Sequence, residues 1–332
     1  MRQIRFMILI LVFILLVSSL SFASEQKVIE MKLAHYAEIG HPADLAANMF
    51  AEAVEKRTNG TIKITVYPAN QLGSPPEQLE QNILGAIDMS LPTQGALDKY
   101  SKKFAVVMLP FIFKDYEHAY RVLDGPFMDW AASDLEKQGL VFLSNWEYGF
   151  RNITNNIRPI NSPDDVKGLK LRTPPEIQLE SAMEALGAVV TKISFTELYM
   201  ALKQGVVDGQ ENPLSVIYHN KLFEVQKYLT LTHHVYNSMV HVMSMRTWNT
   251  LTAEQQRIIR EESKKAGDFM RKRMQEEEKV LVTKLEEEGM VVTQLADTSE
   301  FQAKMGPAYQ RIGKYAGEEN VEKFREMAES LK

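Results

Sequence analysis

Apolar and polar residues alternate over two stretches near the start of the chain. Ile29, Met31 and Leu33 alternate with Glu30 and Lys32, and Ile62, Ile64 and Val66 alternate with Lys63, Thr65 and Tyr67. Each predicts a half-buried strand. Between them the period changes. Leu45, Met49, Phe50, Ala53 and Val54 fall on one helical face over Pro42–Arg57, and Asn59-Gly60 makes the turn. Further along, Gln78–Leu84 and Tyr116–Lys137 read as helices, and Ile87–Leu91 and Leu140–Ser144 as apolar strands. Ser162-Pro163 opens a short helical turn, and the strand Leu169–Arg172 stops at Pro174-Pro175. Helices over Ile177–Leu186 and Thr196–Lys203 lead to a strand at Val206–Gln210. Strands that alternate with helices predict an α/β fold with largely parallel sheets.

One helical stretch is much longer. Thr252 and Gln255 form a capping box, and Gly289 ends a pattern running from Ala253 to Glu288. At about 1.5 Å per residue it reaches roughly 50 Å, more than one domain. Its centre is rich in charge and lacks sustained heptads, which predicts a helix bridging two domains rather than a coiled coil.

Residues 1–23 break the alternation. Arg2 and Arg5 precede an unbroken apolar run from Phe6 to Val17, and Ser21-Phe22-Ala23 offers small residues at a cleavage site. The run falls short of the roughly 20 residues of a comfortable membrane span. The layout predicts an exported protein whose signal peptide is cleaved after about Ala23. Without it, the formal charge of −5 becomes −7, because two arginines are lost.

Composition narrows the chemistry. The 332 residues contain no cysteine, which excludes disulfides, thiol nucleophiles, Cys-ligated metals and a lipidated Cys anchor. The 38 basic and 43 acidic residues are evenly mixed and give no nucleic-acid footprint. The seven histidines form no metal-binding spacing, and no nucleophile elbow, P-loop or Gly-x-Gly-x-x-Gly is present. No catalytic residue, metal or cofactor is therefore assigned. Binding signals are better. Arg172 ends a strand, where open α/β sheets bind ligands, and arginine can grip a carboxylate with two parallel hydrogen bonds. Arg151 opens another apparent strand, Asn212 follows a third, and Phe195 and Tyr199 flank a helix start.

These segments, in this order, resemble the solute-binding proteins of tripartite ATP-independent periplasmic (TRAP) transporters, the DctP-type family, over about residues 28–328. The resemblance rests on Tyr67-Pro68-Ala69-Asn70-Gln71-Leu72-Gly73, Gly85-Ala86-Ile87-Asp88-Met89, Leu109-Pro110-Phe111-Ile112-Phe113, Lys167-Gly168-Leu169-Lys170-Leu171-Arg172 and Asp208-Gly209-Gln210-Glu211-Asn212-Pro213. It implies a bilobal periplasmic-binding-protein-like fold, two α/β domains around a ligand cleft, joined by crossing strands and a long helix. Domain I would hold 24–148 and 238–277, and domain II 149–237 and 278–332. Arg172 matches the arginine that clamps the ligand carboxylate, Arg151 the second pocket arginine and Asn212 an asparagine near the carboxylate. Phe195 matches an aromatic packed on the ligand, Tyr36, Thr93 and Gln94 fall on the first domain's side of the cleft, and Glu77 matches an acidic residue after the Gln-Leu-Gly motif. The implied function is a periplasmic receptor that captures an organic acid, a hexuronate-like sugar acid or a C4-dicarboxylate. It would hand that ligand to integral membrane permease subunits. The alternatives are the receptor of an ATP-driven importer and a periplasmic enzyme acting on organic acids. A monomer is expected, with dimerisation through the long helix as the rival.

Overall fold

The computed structural model describes residues 28–332, so the predicted signal peptide and its cleavage site lie outside the described residues. The chain opens with strand β1 (Ile29–Ala34), helix α1 (Pro42–Arg57), β2 (Ile62–Tyr67), α2 (Pro75–Leu84) and β3 (Met89–Ser90). Next come α3 (Tyr116–Val122), α4 (Met128–Lys137) and the long strand β4 (Leu140–Asn155). A second α/β run holds β5 (Lys170–Thr173), α5 (Ile177–Ala185), β6 (Val189–Lys192), α6 (Leu198–Lys203), β7 (Gly209–Asn212) and α7 (Leu214–His219). The chain then returns through β8 (Tyr228–Ser244), α8 (Met245–Trp248), α9 (Ala253–Glu287) and β9 (Val291–Gln294). It ends in α10 (Ser299–Ala303), α11 (Gly306–Ala316) and α12 (Glu318–Ser330).

Two strands join the halves. The sheet runs β2-β1-β3-β8-β4-β7-β5-β6, with β9 beside β8. β1 pairs parallel with β2 and β3, and β5 pairs parallel with β6 and β7, so each lobe has its own parallel unit. The antiparallel β4 and β8, 16 and 17 residues long, belong to both. Their pairing slips at three bulges, one between Glu147 and Gly149. Gly149 adopts φ 114° there, a left-handed conformation that a side chain would strain.

The long helix is as predicted, 35 residues with the Thr252–Gln255 capping box in place. At about 1.5 Å per residue it spans roughly 52 Å. Its N-terminal half packs on α1 and β4, and its later turns reach α7 and β9. Gly267 permits the close approach: a Cβ there would lie 2.6 Å from the Asn145 carbonyl oxygen and 2.9 Å from the Trp146 ring. Hydrophobic cores occupy both lobes. One joins Phe104, Phe113 and Phe127 to Phe324 of α12, and another joins Leu171, Ala182 and Met183 to Phe301 of α10.

Several expectations shift. The predicted helix 116–137 is interrupted at Leu123–Phe127, where Gly125 leaves helical geometry (φ −111°, ψ −113°) and Pro126 withholds an N–H. Leu45, expected on the core face of α1, is 39% exposed, and the buried stripe runs through Ala43, Ala47, Phe50 and Val54. The strand read as Leu140–Ser144 continues to Asn155, because partners lie on both sides of its far end.

Candidate functional site

A cavity of about 240 Å³ opens between the lobes. One wall is built from Tyr36, Pro75, Pro76, Leu79, Thr93 and Asp98, and the other from Tyr148, Arg151, Arg172, Glu176, Phe195 and Asn212. A larger groove of about 1330 Å³ lies elsewhere, beside α12, but its charged residues include the exposed Glu322, Arg325, Glu326 and Glu329. The smaller cavity is where buried charge meets empty space.

Local structure explains how Arg172 gets there. Leu171 faces the core of the second lobe, so the alternation of β5 turns Arg172 the other way. Pro174 and Pro175 then end the strand. The side chain is 1% exposed. Nε donates to the Ile193 carbonyl oxygen at 2.8 Å, and Nη2 is buried with no partner. Burial pulls this guanidinium down to about 10. A buried cation with an unused donor is costly unless an anion arrives.

Arg151 is arranged differently. Its Nη2 donates to Glu211 Oε1 and to the Glu211 carbonyl oxygen, both at 2.8 Å, and its Nε also meets the Glu211 carboxylate. Burial alone would raise the Glu211 carboxyl, but Arg151 and His234 together outweigh it and hold the group below its usual range. His234 Nε2 lies 3.3 Å from Glu211 Oε2, and burial lowers the imidazole below its ordinary value. Arg151 thus lines the cavity with its charge already neutralised within the protein.

Asn212 is similarly occupied. Its Oδ1 accepts from Tyr148 Oη and Arg151 Nη2, each at 3.1 Å, and its Nδ2 donates to Gln210. Tyr36 is the opposite case, since its hydroxyl is buried without a partner. Its ring packs at 5.2 Å from Tyr148 and edge-on at 6.0 Å from Phe195. Thr93 donates to Glu176 Oε1 at 2.8 Å across the cleft.

Six of the eight residues implied by the resemblance therefore meet at one cavity: Arg172, Arg151, Asn212, Phe195, Tyr36 and Thr93. Two do not line it. Gln94 is buried behind the wall, where Nε2 donates to Asn145 Oδ1 at 2.9 Å. Glu77 is exposed and accepts from the Ser74 N–H and Oγ–H, both at 2.7 Å, so it caps α2. Pro75, Pro76 and Leu79 take its place on the wall. Tyr199, flagged by its helix start, bonds Glu224 at the surface instead. Sequence reasoning missed Tyr148, Asp98 and Glu176. Glu176 stands four residues after Arg172, just past the two prolines, and that proximity was the available signal.

Among the described residues no cluster of three or more His, Asp or Glu side chains could hold a metal. None of the described helices is long and apolar enough to cross a membrane.

The profile of bacterial extracellular solute-binding protein family 7, DctP, matches residues 33–315. The chain belongs to this family, the solute-binding proteins of TRAP transporters. Its members bind solutes for transporters and are not enzymes. The chain is 35% identical over 306 residues to the sialic acid-binding periplasmic protein SiaP of Vibrio cholerae, covering 92% of this chain and 95% of that protein. It is 38% identical to the C4-dicarboxylate-binding periplasmic protein DctP of Rhodobacter capsulatus, over 71% of each. The crystal structure of the sugar acid binding protein DctPAm from Advenella mimigardefordensis, in complex with galactonate, superposes with a TM-score of 0.89 at 30% identity. That match covers 92% of this chain and 99% of that one. The bilobal fold is thus that of the family.

Proposed function

We propose that this DctP-family chain is a periplasmic receptor that captures an organic acid through the Arg172 guanidinium and delivers it to the membrane permease of a TRAP transporter. One observation carries the reading: Arg172 lines the cavity, and its Nη2 is buried with no partner. A ligand carboxylate supplies the missing anion, and Tyr36 Oη offers a second unused group. The relatives named for sialic acid, C4-dicarboxylates and sugar acids all carry carboxylates. Arg151 orients rather than attracts, because Glu211 already balances it. The apolar wall of Pro75, Pro76 and Leu79 seals the site, and excluding water strengthens the ion pair.

The receptor is exported by residues 1–23 and acts as a monomer. Its lobes hold 24–148 with 238–277 and 149–237 with 278–332, and they rock about β4, β8 and α9 to admit the ligand. Calorimetry with an organic-acid panel tests the clamp. Arg172→Ala should lose on the order of 2–5 kcal/mol of affinity. Wild-type affinity in this variant overturns the assignment.

A further inference from the structure

The cavity holds a third buried polar group with an unused atom. Glu176 is 6% exposed and sits at the start of α5, yet its side chain does not cap that helix. It reaches across the cleft instead. Oε1 accepts from Thr93 Oγ1 at 2.8 Å, while Oε2 is buried without a partner. Oε2 lies against Gly95, where a Cβ would come within 2.5 Å of it, so the glycine makes room for the carboxyl. Glu176 and Arg172 flank Thr173-Pro174-Pro175, and both line the same cavity. A carboxyl set this close to the proposed carboxylate anchor is not needed to hold an anion. It constrains what the rest of the ligand can be.

We propose that Glu176 determines specificity by accepting a hydrogen bond from a ligand hydroxyl and rejecting a second carboxylate, so that the pocket prefers a hydroxylated monocarboxylate over a C4-dicarboxylate. This rests on the Arg172 clamp. The surroundings reinforce the discrimination. Asp98 lines the same cavity from the facing lobe and adds negative charge. Glu211 is spent on Arg151, and the two lysines that line the cavity, Lys99 and Lys192, are exposed to solvent, Lys192 beside Glu180. A ligand hydroxyl gives the carboxyl a further donor, whereas a carboxylate placed there is repelled, at a cost of about 10-fold or more in affinity.

The carboxyl also titrates in an accessible range. Burial first, then Asp98 and Glu211, push it up to about 7 against the pull of Arg151 and the Thr93 hydrogen bond. The charged and titratable groups that act on it are Asp98 from the first lobe, Tyr148 and Arg151 from β4, Arg172 from β5 and Glu211 from β7. Asp98 itself is raised to about 6, chiefly by burial, and therefore protonates at lower pH. Protonated Glu176 no longer repels a dicarboxylate, so discrimination should fade between pH 8 and pH 6.5.

Calorimetry with galactonate and succinate reads this directly on wild type, Glu176→Gln and Arg172→Ala. Wild type at pH 8 should bind galactonate at least about 10-fold tighter than succinate. Glu176→Gln should shrink that ratio to about 3-fold or less, mainly by gaining succinate affinity. In wild type alone the ratio should fall at least about 3-fold on going to pH 6.5. The pH series on wild type decides the matter if the Gln variant does not fold. An unchanged ratio in Glu176→Gln, a ratio flat with pH in wild type, or tighter binding of succinate at pH 8 overturns the proposal. Arg172→Ala separates the two readings. If it weakens both ligands while Glu176→Gln leaves the ratio intact, the clamp stands and the specificity role falls. If it weakens neither ligand, or if wild type binds neither, the clamp falls and this inference with it.

Discussion

Two arginines line one cavity, and their surroundings make them opposites. Arg151 and Arg172 are 2% and 1% exposed. Arg151 sits on β4 against β7, where Glu211 meets it with both carboxylate oxygens. Arg172, the penultimate residue of β5, has one backbone acceptor and one idle donor. The Arg151 region is complete without ligand, and the Arg172 region is not. A buried charge can therefore serve as framework or as bait, and what separates the two roles is whether the chain supplies the counter-charge.

The sharpest way to break this contrast is to remove the counter-charge. Glu211→Ala turns Arg151 into a second unpaired cation, and losing one partner of a buried pair costs about 3–5 kcal/mol. Urea denaturation of the ligand-free protein should show that loss, and an unchanged midpoint would mean that Arg151 is not held by Glu211. Arg172→Leu should do the reverse. It removes a cation that has no salt-bridge partner, so the ligand-free melting temperature should rise or hold while carboxylate binding disappears. A marked fall in ligand-free stability would show that Arg172 belongs to the framework too.

Acid and base should separate the two regions further. His234 beside Glu211 has a folded pKa below its ordinary value, so the folded state resists protonation. Its contribution is complete above about 6.5 and is lost as pH falls from there, at up to about 1.4 kcal/mol per unit. Glu176 has a folded pKa raised to about 7, so its contribution is present below about 4.5 and lost as pH rises through 7. Melting curves of His234→Gln should therefore gain on wild type toward acid, and those of Glu176→Gln should gain toward base. Parallel profiles for all three proteins would contradict the assignment. The smallest effect belongs to Glu77→Ala. It should lower the melting temperature slightly through the lost cap on α2 and leave ligand affinity unchanged. A clear loss of affinity would bring Glu77 back to the pocket.

Much of this was legible in the sequence where it depended on neighbours along the chain. The α/β alternation, the 35-residue helix and its capping box are local matters of period and hydrogen-bond geometry, and they stand as read. The strand before the two prolines was legible too, but it ends at Thr173 rather than at Arg172, which sits one position inside its carboxyl end. The long β4 was read too short because its extension depends on partners at 209–212 and 228–230. Glu77 was misplaced because a motif gives its position in the chain but not its rotation about α2. Tyr148 and Glu176 carried no motif, only proximity to residues that did.

Read from sequence alone, the absence of cysteine and the leader-like first 23 residues predict an exported chain held together by packing. The negative net charge excludes bulk attraction of an anion and leaves the task to a local cation. Sequence could nominate Arg151 and Arg172 as that cation, and the family resemblance put Arg172 first, but nothing along the chain said how their surroundings differ. That difference belongs to the tertiary structure. Glu211 lies 60 positions beyond Arg151, and Thr93 lies 83 positions before Glu176. Desolvation and Coulomb energies depend on distances in space between such residues, and only the folded sheet sets those distances.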